Sequence, residues 1–211
     1  WGGTPSVSIV TPTRRPDHLS DILRNYDSQV YPNKELRIVV NSGSADARRI
    51  AKEVSGRTDI IVDSVPADRF TGACMNRAHM ASHSELIVKM DDDDWYGEHY
   101  VLDIVLSLRS VRADVFGKVP VPMRFEDDSC AYARRQRFYP NRVATGEFLR
   151  SGRGWFGGNT LGYRRDALEF PVFPDDVLGS ADSVFNENCP DDAIVLTLDR
   201  FNAVRSEEHT S

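Results

Sequence analysis

A short apolar run that ends in consecutive carboxylates constrains the fold more than any other feature of this sequence. Residues 86–90 read LIVKM, and Asp91, Asp92, Asp93 and Asp94 follow directly. In an open α/β sheet, ligands bind outside the carboxyl ends of the strands, so a strand that ends here would hold these carboxylates at such a crevice. Like charges this close ionise most easily when a cation lies between them. The run therefore predicts a metal site in an α/β fold.

The carboxylates also indicate the kind of metal. Carboxylate oxygens are hard ligands, which suit magnesium, manganese or calcium better than zinc. A divalent ion held by one or two carboxylates keeps open positions and commonly binds substrate phosphates there. The hypothesis is therefore a metal–diphosphate site, and the alternatives are a solvated acidic turn or an EF-hand calcium loop. In the EF-hand register that begins at Asp92, Tyr96 falls where an oxygen ligand belongs, which disfavours the calcium loop.

Strands alternate with helices through the first half of the sequence. The predicted strands are residues 7–11, 36–40, 59–63 and 86–90, and the predicted helices are residues 18–28, 46–55, 72–82 and 97–109. This alternation is typical of a Rossmann-like, mostly parallel sheet with helices on both faces. The loops that follow the strands, at residues 11–15, 41–44, 64–68 and 91–94, would converge on one crevice where a nucleotide could lie. The first half of the chain, residues 1–110, contains no Gly-x-Gly-x-x-Gly motif and no P-loop, so a diphosphate would be bound mainly through the metal.

The second half of the sequence is less regular. It predicts strands at residues 115–121, 160–163 and 194–198, short helices at residues 164–170 and 182–189, and an irregular hairpin within residues 123–139. Glycines surround Trp155 and Phe156 in the run GRGWFGGN. Glycine permits close backbone approach, and an exposed tryptophan can stack on a sugar ring. A tight turn in which Trp155 covers the core explains this run equally well.

Composition excludes several classes of protein. The chain has 211 residues, of which 40% are hydrophobic and 27% charged, as expected for one globular domain with a sizeable core. A net charge of −6 disfavours a nucleic-acid-binding or anionic-membrane-binding surface. Three widely spaced cysteines predict neither a disulfide framework nor a zinc cluster and favour a reducing compartment. No apolar stretch approaches the length of a membrane span, no signal peptide is visible, and the chain ends predict a piece of a longer protein.

Motifs from both halves, taken together, resemble those of family 2 glycosyltransferases, which have the GT-A fold. Residues 8–14 (SIVTPTR) are similar to the family's first strand and nucleotide loop, and residues 91–93 match its Asp-x-Asp metal motif. Residues 157–165 (GGNTLGYRR) are similar to its acceptor-side loop and the strand that follows. Residues 173–182 resemble the stretch that ends in its catalytic Glu-Asp pair, and residues 199–202, together with His209 and Thr210, are similar to its last strand and closing motif. The order and spacing of these motifs carry the resemblance.

The resemblance implies an inverting glycosyltransferase that depends on Mn²⁺ or Mg²⁺. Such an enzyme moves a sugar from a nucleotide-diphosphate donor, most often UDP-linked, to a hydroxyl of a glycan or glycoconjugate acceptor. The implied roles are catalytic base for Asp182, metal ligation for Asp91, Asp93 and His209, nucleotide-sugar binding for Thr11, Pro12, Thr13, Arg14, Asn41, Asn76, Arg77, Asp91 and Asp92, and acceptor binding for Trp155, Gly157, Gly158 and Asn159. By the same resemblance we expect a cytoplasmic enzyme, at most peripheral to the inner membrane, that contributes to a bacterial surface polysaccharide.

The sequence departs from the family pattern at two places. Asn41-Ser42 stand where the family usually carries two acidic residues before Gly-Ser, and Ala181 stands where it carries the Glu of its Glu-Asp pair. Rival candidates for the base near Asp182 are Asp175, Asp176 and Glu187. Two other functions stay open: a metal-dependent nucleotidyltransferase, and a non-catalytic carbohydrate- or nucleotide-binding domain. In each case we expect one domain over residues 1–211, with a nucleotide-sugar-binding half (1–110) and an acceptor-binding half (111–211), and the sequence predicts no oligomeric state.

Overall fold

A large, mostly parallel sheet forms the centre of the protein. The computed structural model describes residues 3–119, 122–125, 131–132, 140–151, 156–169, 172–173 and 181–207. Within these residues the large sheet has eight strands: β1 (Val7–Thr13), β2 (Lys34–Val40), β3 (Ile60–Ser64), β4 (Leu86–Lys89), β6 (Val115–Lys118), β9 (Arg142–Thr145), β10 (Gly162–Arg164) and β11 (Ile194–Leu198). A smaller sheet contains β5 (Trp95–Tyr96), β7 (Met123–Phe125), β8 (Ala131–Tyr132) and β12 (Ala203–Glu207).

The strand order of the large sheet is β3-β2-β1-β4-β10-β6-β11-β9. Strands β3, β2, β1 and β4 run parallel to one another, as predicted from the alternation in the sequence. Strand β10 is antiparallel to both of its neighbours, β4 and β6, whereas β6 and β11 are parallel. Strand β9 runs antiparallel at the edge. The carboxyl ends of β1 to β4 therefore lie at the same edge of the sheet. Strand β4 belongs to the predicted first half of the chain, and its neighbour β10 belongs to the second half. Strands from both predicted halves therefore form this one sheet.

Helices cover both faces of the large sheet, which confirms the predicted α/β class. Helices α1 (Leu19–Ser28), α2 (Ser44–Glu53) and α4 (Tyr100–Ser110) contribute to one hydrophobic cluster. Helices α3 (Thr71–Ala81), α5 (Gly146–Arg150) and α6 (Ala181–Asn188) contribute to the other. Successive side chains in a strand point to opposite faces, so Ile9 and Val88 pack in the first cluster while Val10 and Ile87 pack in the second. Among the described residues, no helix is both long enough and apolar enough to cross a membrane.

The segment that follows the acidic run differs from its prediction. The sequence predicts a helix from residue 97, but α4 begins at Tyr100, because Trp95–Tyr96 form β5 and a turn at residues 98–99 precedes the helix. Tyr96 is paired with Ala203 across β5 and β12, and the backbone N–H of Gly97 donates to the carbonyl oxygen of Asn202 at 3.0 Å. The irregular hairpin predicted within residues 123–139 contains the antiparallel pair β7 and β8.

Elements of the second half account for the other differences. The helix predicted over residues 164–170 is wrong: Arg164 ends β10 opposite Leu86, and a turn follows in which the N–H of Ala167 donates to the carbonyl oxygen of Arg164 at 3.1 Å. Strand β9, helix α5 and strand β12 were not predicted. Strand β9 is largely exposed and lacks an apolar alternation, and the five residues of α5 are too few for a helical period to be recognised.

Asn76 in α3 connects this helix to residues 172–173, which pack in the second hydrophobic cluster. Its side chain is buried, at 4% exposure. Its Nδ2 donates to the carbonyl oxygen of Phe173 at 2.8 Å, and its Oδ1 accepts from the backbone N–H groups of Val172 and Phe173 at 3.1 and 3.0 Å. Phe173 in turn stacks on Phe185 of α6, with ring centroids 4.9 Å apart. The Asn76 amide thus supplies hydrogen-bond partners to the backbone of residues 172–173.

We expect Asn76→Ala to lower the free energy of unfolding by about 2–4 kcal/mol, because buried backbone groups would lose their partners. Urea denaturation followed by circular dichroism measures this loss. Arg77→Ala is the matched control on the same helix, since Arg77 makes a half-exposed ion pair with Asp63 at 2.9 Å, and we expect it to cost less than about 1 kcal/mol. Equal, small losses for both variants would contradict the structural role of Asn76.

Candidate functional site

A cavity of about 510 Å³ opens at the carboxyl ends of β1, β2 and β4. It lies where the sequence predicts a crevice, because parallel neighbours in the sheet bring their polar loops to one edge. The residues that line the cavity are Pro12, Thr13, Arg14, Arg15, Asn41, Phe70, Thr71, Lys89, Asp91, Asp92 and Asp93. Its volume is within the usual range for sites that enclose a small ligand.

Asp92 is fixed by residues at the end of β1. Thr13 Oγ1 donates to Asp92 Oδ2 at 2.6 Å, and Arg15 Nε donates to the same oxygen at 3.2 Å. Arg15 Nη2 pairs with the other carboxylate oxygen. This hydrogen bonding to Asp92 is the main reason that the pKa of Arg15 lies above its usual value, despite partial burial. The Asp92 side chain is only 8% exposed, so its hydrogen-bonding capacity is largely used within the protein.

Asp91 and Asp93 are more open to the cavity. Their side chains are 31% and 35% exposed. Asp93 Oδ2 lies 2.8 Å from Arg15 Nη2 at the cavity surface. Asp91 pairs with Lys89 Nζ, which also donates to the carbonyl oxygen of Gly158 at 3.1 Å. Each of the two carboxylates therefore combines a cationic neighbour with an exposed part that a ligand in the cavity can reach.

Asp94 points away from the cavity and into the protein. Its Oδ1 accepts the backbone N–H of Ser206 at 2.8 Å, and its Oδ2 accepts from Asn159 Nδ2 at 2.6 Å. Burial and then the negative charge of Asp91 raise the pKa of Asp94 to about 7. This carboxyl group connects the acidic loop to β12 and to the 3₁₀ turn Gly158–Thr160.

A buried tyrosine makes a second connection between the same parts. The backbone N–H of Asp91 donates to the Tyr96 hydroxyl at 2.8 Å, and that hydroxyl donates to the carbonyl oxygen of Asn159 at 2.7 Å. Burial raises the pKa of Tyr96 well above its usual value, so the hydroxyl keeps the proton that it donates. Asn25 of α1 supports the loop from the opposite side by donating to the carbonyl oxygen of Asp94 at 2.8 Å. The acidic loop and the turn that contains Asn159 thus form one hydrogen-bonded unit.

The donor set at the cavity fits a hard divalent cation. Asp91 and Asp93 offer carboxylate oxygens to the cavity, and magnesium is commonly held by one or two carboxylates together with substrate phosphates. Within the described part of the chain, no group of three or more His, Cys, Asp and Glu residues could hold a metal ion by itself. His209, the further ligand expected from the sequence, lies outside the described residues. The remaining ligands would thus have to come from a bound substrate, from water or from that part of the chain.

Arg14 and Asn41 form one wall of the cavity. Arg14 Nη2 donates to the carbonyl oxygens of Ala67 and Arg69 at 3.1 and 2.9 Å, and its guanidinium lies 5.4 Å from the ring centroid of Phe70. Asn41 Nδ2 donates to the same Arg69 oxygen at 2.9 Å. Both side chains are therefore held by the loop between β3 and α3, and both remain in the cavity lining.

Other residues with predicted nucleotide-sugar contacts lie away from the cavity lining. Thr11 is buried within β1, where it pairs with Ile38 of β2. Asn76 holds residues 172–173, and Arg77 is paired with Asp63. The role of these residues in nucleotide binding stays a prediction, and the structure gives each of them a partner within the protein.

The residues predicted on the acceptor side are only partly described. Gly157, Gly158 and Asn159 lie at the 3₁₀ turn that contacts Lys89 and the acidic loop. Trp155 lies outside the described residues, as do the rival bases Asp175 and Asp176. Asp182 is the second residue of α6, and its side chain is outside the described part of the structure. Its role as a base therefore stays a prediction.

The cavity also contains residues that the sequence reasoning missed: Arg15, Phe70, Thr71 and Lys89. Lys89 carries a signal, because a charge inside the apolar run of a buried strand requires a partner, and the next polar residue along the chain is Asp91. Arg15 carries no such signal. Arg14 and Arg15 are neighbours in the same loop, and only the conformation of the loop decides which guanidinium reaches the carboxylates.

Comparisons with known proteins identify the fold. No protein-family model and no curated protein sequence matches the chain. Residues 1–349 of TarS from S. aureus, solved in complex with UDP-GlcNAc, superpose with a TM-score of 0.75 at 14% identity, over 98% of this chain and 60% of the TarS chain. The mannosyltransferase PcManGT from Pyrobaculum calidifontis, solved with GDP-Man and Mn²⁺, superposes with a TM-score of 0.67 at 19% identity, over 97% of this chain and 57% of its own.

The extent of these matches determines what they establish. The chain spans about 60% of the length of the TarS structure, and its identity with both proteins is low. A likeness of this kind shows the fold alone. The chain therefore has the GT-A-like α/β fold of TarS and of the mannosyltransferase PcManGT, with a large, mostly parallel sheet between helices.

Proposed function

We propose that the chain is a metal-dependent glycosyltransferase of family 2. It would transfer a sugar, with inversion, from a UDP-linked donor to a hydroxyl of a glycan or glycoconjugate acceptor. The observation that carries the proposal is the position of Asp91 and Asp93, which open onto a cavity at the carboxyl ends of the parallel strands. The fold supports it, since proteins of this fold have been solved with UDP-GlcNAc and with GDP-Man and Mn²⁺. The predicted cytoplasmic location and surface-polysaccharide pathway stay predictions.

The wall of the cavity supports binding of a nucleotide donor. We place the nucleoside against Pro12, Phe70 and Asn41, and the diphosphate beside the acidic loop. The bond from Asn41 Nδ2 to the carbonyl oxygen of Arg69 fixes the amide, so that Oδ1 is its acceptor for a ligand. An acceptor at this position favours a base that presents a ring N–H, as uracil and guanine both do. An amide can therefore serve here although the family usually carries two acidic residues in this loop.

The acidic loop would serve the leaving group. Asp91 and Asp93 would hold the divalent cation, Mn²⁺ or Mg²⁺, which as a Lewis acid neutralises the charge that develops on the departing diphosphate. Asp92 would hold the loop in place and would not bind the cation itself, because its carboxylate oxygens already accept from Thr13 and Arg15. Asp94 would keep the loop in register with the turn at Asn159 through its hydrogen bond at 2.6 Å.

The acceptor side would supply the nucleophile and the base. The hydroxyl of the acceptor would lie near Gly157, Gly158 and Asn159, with Trp155 as a stacking surface. A hydroxyl is a weak nucleophile at neutral pH, so a carboxylate must remove its proton as it attacks the anomeric carbon. We assign this role to Asp182, on the basis of its match to the Asp of the family's catalytic pair. His209 would add a further contact to the metal.

We expect wild-type protein with Mn²⁺ to release free nucleoside diphosphate from a UDP-sugar when a glycan acceptor is present. Asp93→Asn should reduce the rate at least about 100-fold, because the charge on the leaving group would lose its counter-ion. Asp17→Asn is the matched control, since the Asp17 side chain is 89% exposed, and it should leave the rate unchanged. A coupled assay for nucleoside diphosphate measures turnover. Pyrophosphate as the product would identify a nucleotidyltransferase, and UDP binding without turnover would identify a binding domain.

We expect Asp182→Asn to lower kcat by about 100- to 10,000-fold, the usual contribution of a general base. The dissociation constant for UDP, measured by calorimetry with Mn²⁺, should change less than about twofold, since the base contacts the acceptor and not the nucleotide. Glu187→Gln on the same helix is the control, because Glu187 is exposed and is a rival candidate. If Glu187→Gln loses activity while Asp182→Asn keeps it, the assignment of the base is wrong.

A further inference from the structure

Arg15 contacts two neighbouring carboxylates that differ in their environment. Its Nη2 pairs with Asp92 Oδ1 and also lies 2.8 Å from Asp93 Oδ2. Asp92 is 8% exposed and Asp93 is 35% exposed. One guanidinium therefore joins a carboxylate that is buried to a carboxylate that is open to the cavity.

The contacts of Arg15 with Asp92 and with Asp93 differ in how easily they can be broken. Asp92 also accepts from Thr13 at 2.6 Å and from Arg15 Nε at 3.2 Å, so this pair is held at several points around a carboxylate that is only 8% exposed. Removing a partner from such a pair leaves a buried charge, which is costly. The contact with Asp93 lies at the cavity surface, where water weakens an ion pair to a small net value. Arg15 can therefore release Asp93 while it keeps Asp92.

We infer that Arg15 is an internal counter-ion for Asp93, which a divalent cation must displace when it enters the site. The inference rests on the proposed function, because it assumes that Asp93 ligates the metal. Arg15 thereby lowers the affinity of the nucleotide-free protein for the cation. It prevents full repulsion between the carboxylates of the empty loop, and it makes the affinity of the site for metal depend on what else is bound.

A diphosphate in the cavity would reverse this competition. Arg15 lines the same cavity as Asp93, and a guanidinium carries five N–H donors that suit phosphate oxygens. When a diphosphate is present, the N–H groups of Arg15 that leave Asp93 can donate to the phosphate oxygens. Displacement of Arg15 from Asp93 by the cation then costs less free energy. Metal and nucleotide would therefore bind with positive coupling, and each would raise the affinity for the other by the same factor.

Arg14 provides a matched control for this role. It lines the same cavity and carries the same charge, but its guanidinium contacts the carbonyl oxygens of Ala67 and Arg69 and the ring of Phe70. Loss of Arg14 changes the net charge of the cavity by the same amount as loss of Arg15. Comparison of the two variants therefore distinguishes direct competition between Arg15 and the cation for Asp93 from a general electrostatic effect of charge in the cavity.

The test is a titration of the nucleotide-free chain with Mn²⁺ alone, in which electron paramagnetic resonance measures free Mn²⁺. We expect Arg15→Met to bind Mn²⁺ about fivefold more tightly than wild type, the upper end of the factor that corresponds to loss of an exposed ion pair. Arg14→Met should stay within about twofold of wild type. Addition of UDP should raise the Mn²⁺ affinity of wild type by a larger factor than that of Arg15→Met.

A second variant is needed beside Arg15→Met, because Asp92 loses its partner in Arg15→Met and the fold of that variant must be checked by circular dichroism. Arg15→Lys keeps the charge but not the fork of donors, and it should bind Mn²⁺ about twofold more tightly than wild type. Unchanged or weaker Mn²⁺ binding by a folded Arg15 variant, while wild type still turns over a UDP-sugar, would overturn the counter-ion role alone. Absence of Mn²⁺ binding and of turnover in every variant would overturn the proposed function as well.

Discussion

The ion pair between Arg15 and Asp92 is the contact on which the rest of the site depends. It joins the loop after β1 to the loop after β4, and Thr13 adds a hydrogen bond of 2.6 Å to the same carboxylate. The Arg15 side chain is 37% exposed, but that of Asp92 is only 8% exposed, so removal of Arg15 would leave a largely buried carboxylate without its cationic partner, which is costly. The geometry of the acidic loop is thus tied to the stability of the sheet edge.

The ion pair between Arg15 and Asp92 reduces the electrostatic repulsion between the adjacent carboxylates of the acidic run. Asp92 is turned into the ion pair, and Asp94 is turned inward to Asn159 and to the backbone of β12. Asp91 and Asp93 remain with exposed surface at the cavity. Alternation along the chain therefore divides the run into residues that hold the loop and residues that face a ligand.

The same contacts join the two sides of the site. Asp94 and Tyr96 both bind Asn159, and Lys89 binds both Asp91 and Gly158. A shift of the acidic loop would therefore move the turn at residues 158–160. For a reaction that must align a donor and an acceptor, such coupling keeps the two reacting groups in fixed relation.

Much of this arrangement follows from the sequence, for identifiable physical reasons. Strands β1 to β4 were predicted because continuous apolar runs are typical of strands that are buried on both faces, and the carboxylates at the end of β4 were predicted to lie at the crevice. The short strand β5 could not be predicted, because two residues show no period and its partner β12 lies more than a hundred positions away in the chain. The choice between Arg14 and Arg15, and the structural role of Asn76, depend on tertiary contacts that no local pattern records.

A crystal structure of the chain with UDP and MnCl₂, with anomalous data collected at the manganese edge, would test the central claim most directly. The account predicts a manganese peak at coordination distance, about 2–2.5 Å, from carboxylate oxygens of Asp91 or Asp93 and from the diphosphate. Arg15 should then have left Asp93 and kept Asp92. A nucleotide bound outside this cavity, or manganese bound away from both carboxylates, would contradict the account.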